Sequence, residues 1–191
     1  MPNLTPTLLE TSRLVLRWID ERDTEALFAL FSDTEVTRYW SVGAWTSMDQ
    51  ARQAIQRDLA AYADGTSLRF AIHLADRPGL IGTIGLHRFV DQSRRCEVGY
   101  ALARPHWGKG YIGEALSAAL EYGFTSLGLN RIEADIDPRN GASARVLERL
   151  GFRKEGFMPE RWIVQGEMAD TVNYGLLKRY WDERGQPFVP A

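Results

Sequence analysis

The stretch 95–116 constrains this fold most, because a strand pattern there runs directly into a glycine-punctuated helix start. In RCEVGYAL (95–102), Cys96, Val98, Tyr100 and Leu102 alternate with Glu97, Gly99 and Ala101, which puts the apolar set on one strand face. From about 112 to 127, Ile112, Leu116, Leu120 and Phe124 recur at helical spacing with Ala115, Ala119 and Leu127 beside them. RIEADI (131–136) reads as the next strand. Strand, helix and strand in that order predict a right-handed crossover between parallel neighbours over 95–136.

Around this unit, 13–18 reads as a strand, and Asp23 is placed to cap a helix carrying Ala26, Leu27, Leu30 and Phe31. A second helix is expected after Ser47 or Asp49, with Ile55, Leu59 and Tyr62 on one side. Residues 69–74 and 80–87 read as a hairpin turned by Asp76, Arg77, Pro78 and Gly79. A helix over 141–150 carries Val146, Leu147 and Leu150 and ends at Gly151 as at a left-handed cap. A turn-rich stretch over 153–166 and a strand over about 168–178 complete the pattern. The order predicts an α/β chain, a mixed sheet with helices on both faces. No repeat or linker divides it, so 1–191 is expected to be a single domain.

The net charge of −2 supplies no overall field to recruit nucleic acid or an acidic membrane. Cys96 stands alone, which excludes an internal disulfide and a multi-cysteine zinc site. No signal-peptide pattern opens the chain, and no apolar run approaches the roughly 20 residues that span a bilayer. A soluble, cytoplasmic protein is the expectation.

The chemistry concentrates in ARPHWGKGYIGEAL (103–116). Gly108, Gly110 and Gly113 lie between a strand end and a helix start, where backbone N–H groups and the helix dipole make an anion site. Lys109 and Arg104 add positive charge. The alternative is a tight turn with no ligand. A phosphate-binding Walker loop needs Ser or Thr after Gly-Lys, and Gly110 and Tyr111 stand there instead. The glycines do satisfy G-x-G-x-x-G, with Glu133 and Asp135 about twenty residues on, as a dinucleotide site requires. Against NAD, the strand ends some residues before the first glycine, antiparallel hairpins precede it, and too little chain follows for two nucleotide-binding halves.

CEVGYALARPHWGKGYIGEAL and NRIEADIDPRNGASARVLERLGF together resemble the GNAT N-acetyltransferases, and within them the ribosomal-protein branch called RimJ and RimL. LETSRLVLR near the start and DTVNYGLL near the end suit the same branch, so the resemblance covers nearly the whole chain, with 95–152 its most specific part. It implies a mostly antiparallel central sheet with a βαβ unit for acetyl-CoA, and direct acetyl transfer to a primary amine. The family's pyrophosphate loop, commonly Gln/Arg-x-x-Gly-x-Gly/Ala, falls here on Trp107, Gly110 and Ile112, the last larger than the pattern asks. By resemblance, the amides of Gly108, Lys109, Gly110, Tyr111, Ile112 and Gly113 face phosphate, and pantetheine pairs with the strand ending at Ala101 and Leu102. Asn140 and Ser143 match the family's Asn-x-x-Ser near the thioester, and Arg145 is a candidate for a nucleotide phosphate.

Acyl transfer to an amine must remove a proton, stabilise the carbonyl oxygen and release a thiolate. A backbone N–H of the strand 95–102 suits the oxygen. Glu97 is the candidate base, acting through a water; the alternative is a strand glutamate paired with Arg94 or Arg95. Ser143 is the candidate donor to the thiolate, or else a first-turn serine bonded to backbone. Where relatives place a tyrosine acid, this chain has Leu147. Tyr39, Trp40 and Trp45 of RYWSVGAW (38–45), with Trp162 and Glu160, are candidates for an acceptor wall or for loop core. His73, His87 and His106 have no metal-ligand spacing and read as packing or surface residues, so no metal is expected. Cys96 reads as core.

The expected acceptor is a protein N-terminal α-amine. The alternative is a small amine such as an antibiotic, a polyamine or an amino acid. No acidic cluster near the aromatic segment favours a polyamine. A non-catalytic CoA-binding module and an NAD-dependent oxidoreductase are the rivals of other classes. Monomer and homodimer both stay open, and the tail QPFVPA either packs on a partner or hangs free.

Overall fold

The computed structural model describes residues 4–184; QPFVPA lies outside the described residues. The chain opens with β1 (Leu9–Glu10), β2 (Leu14–Trp18), α1 (Thr24–Phe31), α2 (Thr34–Thr37) and α3 (Met48–Asp64). A meander of β3 (Ser67–Leu74), β4 (Arg77–Val90) and β5 (Arg95–Leu102) leads into α4 (Tyr111–Thr125), β6 (Arg131–Ile136) and α5 (Gly141–Arg149). The hairpin β7 (Arg153–Val164) and β8 (Glu167–Leu177) precedes α6 (Lys178–Glu183). Among the described residues the strands form one sheet in the order β1-β2-β3-β4-β5-β6-β8-β7. Neighbours are antiparallel except β5 and β6, which α4 joins as parallel strands. The mixed α/β architecture and the strand–helix–strand unit are those expected.

The alternation in β5 divides two cores. Cys96, Val98 and Leu102 pack in the larger one with Ala115, Leu116, Ala119 and Leu120 of α4. Ala101 faces the other way, into a cluster with Leu27 of α1, Ile55 of α3 and Ala71 of β3. Leu116 and Leu120 are fully buried, each stabilising the fold by about 1.5–3 kcal/mol relative to exposure. Helices therefore cover both faces of the sheet.

Three local expectations are corrected. Asp23 stands at the N-cap of α1, but its side chain makes no cap bond to that helix; Asp20 caps the short 3-10 turn Glu21–Asp23 ahead of it, accepting from the Arg22 N–H at 2.9 Å. Asp23 is buried and accepts two bonds from Arg17, at 2.9 and 2.7 Å, so its carboxylate is committed to an ion pair. Leu74 pairs with Arg77, so the β3–β4 turn is tighter than the four residues expected and Pro78 and Gly79 lie in β4. Residues read as turn-rich, 153–166, form β7, and the turn shrinks to Gln165 and Gly166.

One buried carboxylate ties the chain's start to the central helix. Glu114, in the first turn of α4, is only 6% exposed. It accepts from the Thr11 and Ser12 hydroxyls, the Arg13 amide and Arg13 Nε, at 2.7, 3.0, 3.0 and 2.7 Å. Burial opposes its ionisation, but the bonds from Thr11, Arg13 and Ser12 outweigh that and hold the carboxyl below its ordinary value. The stabilisation is therefore fully present above the unfolded carboxyl's value near 4.5 and is lost as pH falls through the lower folded value. Glu114→Gln should cost about 2 kcal/mol, lowering Tm by about 4–8 °C at pH 7 and by less near pH 3. Thermal melts at both pH values check this; equal losses at both would refute the carboxylate's role.

Candidate functional site

Arg95↔Arg131, Cys96↔Ile132 and Glu97↔Glu133 make up the whole β5–β6 ladder. Beyond Glu97, β5 stays with β4 as far as Leu102, and β6 stays with β8 as far as Ile136. Each strand follows its outer partner, and a gap opens between residues 98–102 and 134–136. Backbone groups facing such a gap need hydrogen-bond partners, which an extended ligand can supply. Tyr100 stands in it, its hydroxyl donating to the Ser143 carbonyl at 3.5 Å. Burial pushes that hydroxyl up to about 12, so it keeps its proton at neutral pH.

The glycine loop sits at the tip of β5. Gly108 and Gly110 adopt φ of 72° and 76°, the left-handed region, and Gly110 is the N-cap of α4. The first backbone bond at the helix start runs from the Glu114 N–H to the Gly110 carbonyl. The Tyr111, Ile112 and Gly113 amides thus precede the helical ladder and are available to an anion. Trp107 fastens the loop by donating Nε1–H to the Leu102 carbonyl at 2.6 Å. Arg13 supports it from behind, donating to the Lys109 carbonyl at 3.0 Å and lying over the Tyr111 ring at 4.7 Å. Ile112 packs partly buried against the core, so its extra bulk points away from the loop. Lys109 is exposed and donates to the Pro105 carbonyl, whereas Arg104 is held by Asp33 at 2.6 Å. Positive-φ glycines, free amides and the adjoining gap together fit a diphosphate followed by an extended arm.

On the far side of the gap, Asn140 caps α5 by accepting the Ser143 N–H at 3.1 Å. Ser143, fixed in this first turn, lines a cleft of about 390 Å³. Arg145 is exposed one turn along α5, and Leu147 is fully buried in the core. Tyr39, Trp40 and Trp162 line the cleft with Ser143. Trp45 does not: it stacks on Phe31 at 4.8 Å as loop core, and Trp40 meets the same ring edge-on at 5.0 Å. Glu160 is likewise outside the cleft lining, its amide donating to Asp170. The rim is bridged where Gln165, at the β7–β8 turn, lies so close over Gly43 that a Cβ there would collide with it.

Glu97 lines the cleft but pairs with Arg88 at 2.9 Å rather than with Arg94 or Arg95. Arg95 instead meets Glu133, which Arg131 also holds, so Glu133 belongs to a sheet network and not to a ribose site. The sequence pattern missed several lining residues: His87, Arg88, Arg38, Asp135, Asp137 and Arg139, with Glu167 and Asp170 from the last hairpin. Acidic residues do therefore gather near the aromatic segment, contrary to the sequence expectation. Two of them are matched: Glu97 by Arg88, and Asp137 by Arg139 at 2.6 Å. His73 is half-buried beside the Arg17 cluster, and His106 lies near Tyr111 on the loop's outer side. Cys96 is fully buried in the core, and burial pushes its thiol well above the ordinary range.

Residues 13–153 match the acetyltransferase (GNAT) domain family. A Bacillus subtilis protein described as the uncharacterized N-acetyltransferase YoaA is 42% identical over 171 residues, covering 90% of this chain and 97% of the relative. The Escherichia coli ribosomal protein uS5-alanine N-acetyltransferase is 28% identical over 186 residues, covering 94% of this chain and 95% of its own. A crystal structure of spermidine N-acetyltransferase from Vibrio cholerae with CoA and spermine superposes with a TM-score of 0.81 at 25% identity, covering 90% and 99% of the two chains.

A Cβ at position 110 would force a side chain into the left-handed region at a cost of about 1–2 kcal/mol. Gly110→Ala should raise the Kd for CoA roughly tenfold in calorimetry, with the far-UV spectrum unchanged. An unaltered Kd would show that this loop does not hold the diphosphate.

Proposed function

This chain belongs to the GNAT acetyltransferases and is an N-acetyltransferase that takes its acetyl group from acetyl-CoA; from that premise we propose that its acceptor is the α-amine at a protein N-terminus. The cleft's charge pairing carries this reading. Arg88 and Arg139 offset Glu97 and Asp137, and with Arg38 they put three cations on the wall, which oppose a polycation more than a single amine; Asp135, Glu167 and Asp170 carry the cleft's remaining negative charge. Tyr39, Trp40 and Trp162 offer flat apolar faces to the residues that follow the amine. An α-amine, with an ordinary pKa of about 7.7–8.0 against about 10.4 for lysine, also presents far more of its neutral form at pH 7.

Bound acetyl-CoA supplies the acetyl thioester. The amides of Gly108 through Gly113 hold its diphosphate, with Lys109 adding charge and Trp107 fixing the loop. Arg145 provides a cation toward the nucleotide end. Backbone groups of β5 up to Ala101 and Leu102 hold the extended arm, and an N–H on that strand meets the carbonyl oxygen. Asn140 sets the first turn of α5 so that the Ser143 hydroxyl faces the cleft, where it donates to the departing sulfur. Leu147 is buried, so that helix offers no tyrosine for the task. Removal of the amine's proton falls to the β4–β5 face, where Glu97 and His87 stand.

A polyamine is the second reading, because Asp135 and Glu167 line the same cleft and the Vibrio cholerae relative acts on spermidine. Thiol release from acetyl-CoA should be at least tenfold faster in kcat/KM with peptides beginning Ala, Ser or Met than with spermidine. The reverse order would favour the polyamine. Ser143→Ala should lower kcat about tenfold, the equivalent of about 1.4 kcal/mol, with the CoA Kd within twofold. A matching loss of CoA affinity would make Ser143 a binding residue instead.

A further inference from the structure

Two glycines on adjacent strands make room for one imidazole in the cleft. Gly85 pairs with Gly99 across β4 and β5, and His87 pairs with Glu97 in the same ladder. A Cβ on Gly99 would stand 3.5 Å from His87 Nε2, and one on Gly85 would stand 3.8 Å from its Cδ2. The ring therefore leans over both glycines, along the sheet, rather than outward. Gly99 lies just past Glu97, where β6 has left β5 and the gap begins. Nε2 thus faces the part of β5 that borders the gap, and His87 shares the cleft wall with Ser143 and Tyr100.

Glu97 is less free. Its Oε2 is taken by Arg88 Nη1 at 2.9 Å. Arg88 reaches it from an irregularity in the β4–β5 ladder after His87, with φ of 54°. A bulge of this kind re-aims side chains, and a non-glycine residue in that region costs of order 1 kcal/mol or more. The bulge lets successive residues, His87 and Arg88, both reach the cleft. Among the described residues no hydrogen bond occupies the imidazole.

We propose that His87 is a catalytic residue, the group that accepts the proton of the acceptor amine, and that the Arg88–Glu97 pair acts as its positioning partner. The proposal rests on the N-acetyltransferase reading above. The amine nitrogen forms a bond to the acetyl carbon as the carbon–sulfur bond breaks, its electron pair going to sulfur. The nitrogen gives up one proton to His87 Nε2, and the imidazolium passes it to sulfur or solvent. Burial first, then Arg88, pushes the ring down to about 4, against an opposing pull from Asp135 and a further push from Arg69. Glu97 on β5, Asp137 and Arg139 after β6, Glu167 and Asp170 on β8, and Arg38 and Tyr39 after α2 complete the charged surroundings. At pH 7 the ring is neutral; a base this weak takes the proton only once bond formation to the acetyl carbon has made the N–H strongly acidic, and it gives the proton up again readily.

The test uses the full chain with whichever amine the wild type acetylates fastest, so a wrong acceptor and a wrong base are told apart. His87→Gln should lower kcat about 100-fold with the CoA Kd within twofold. His87→Ala should be equally slow, and free imidazole should restore its rate, with more basic substituted imidazoles restoring more. Glu97→Gln should lose no more than about tenfold and gain nothing from imidazole. The proposal is overturned if His87→Gln keeps a third or more of kcat. It is also overturned if His87→Ala binds CoA normally yet ignores imidazole, or if Glu97→Gln is the more damaged variant.

Discussion

The early end of the β5–β6 ladder governs the rest of this structure. Both strands continue past Glu97 and Glu133, but each is held by an antiparallel neighbour on its other side. The sheet's twist separates them at little cost, because those outer ladders keep most backbone bonds made. The two helices that follow the strands then begin on opposite lips of one gap. The start of α4 faces it with unpaired amides, and the start of α5 faces it with a capped serine. A parallel pair that stayed zipped to Leu102 would bring neither helix start to a ligand.

Holding those helix starts steady is a problem of charge as much as of packing. An acid in the first turn of a helix suits the dipole, yet it would also repel a phosphate bound at the same end. Glu114 avoids that conflict because Arg13, Ser12 and Thr11 absorb its charge on the side away from the loop. Arg13 also grips the Lys109 carbonyl, so one residue both neutralises the acid and braces the glycine turn. The opening segment TSR, remote in sequence, thus belongs physically to the anion loop.

How far the sequence foretold this depends on whether a feature is local. The bounds of β5 and β6 were readable, because apolar alternation over a sheet covered on both faces leaves little freedom. The glycine loop was readable because positive φ demands glycine. The strand β7 was not: Arg153, Lys154 and Glu155, like Met158, Pro159 and Glu160, are exposed, and Gly156 and Pro159 read as breakers. Only pairing with β8 makes it a strand. Which of its two readings, acceptor wall or loop core, Trp45 would take was not legible, because aromatic spacing does not say which side of a loop faces Phe31. The partner of Glu97 was hidden for a similar reason, since Arg88 reaches it through an irregular step that periodicity cannot show. His87 could have been found from Gly85 and Gly99, but only with the hairpin register in hand.

The mixed charges of the cleft bear on chemistry through the protonation state of whatever amine enters. Unmatched carboxylates would stabilise an ammonium and hold its lone pair back from reaction. Guanidiniums beside them cancel part of that field, as Arg88 does for Glu97 and Arg139 for Asp137. An amine in such surroundings titrates nearer its own value than it would in an acidic groove. Under those conditions a neutral imidazole needs only to take a proton that bond formation to the acetyl carbon has already loosened. In the proposed mechanism the ion pairs and the half-buried ring are complementary: the pairs temper the field that would hold the amine charged, and the ring takes the proton that nucleophilic attack releases.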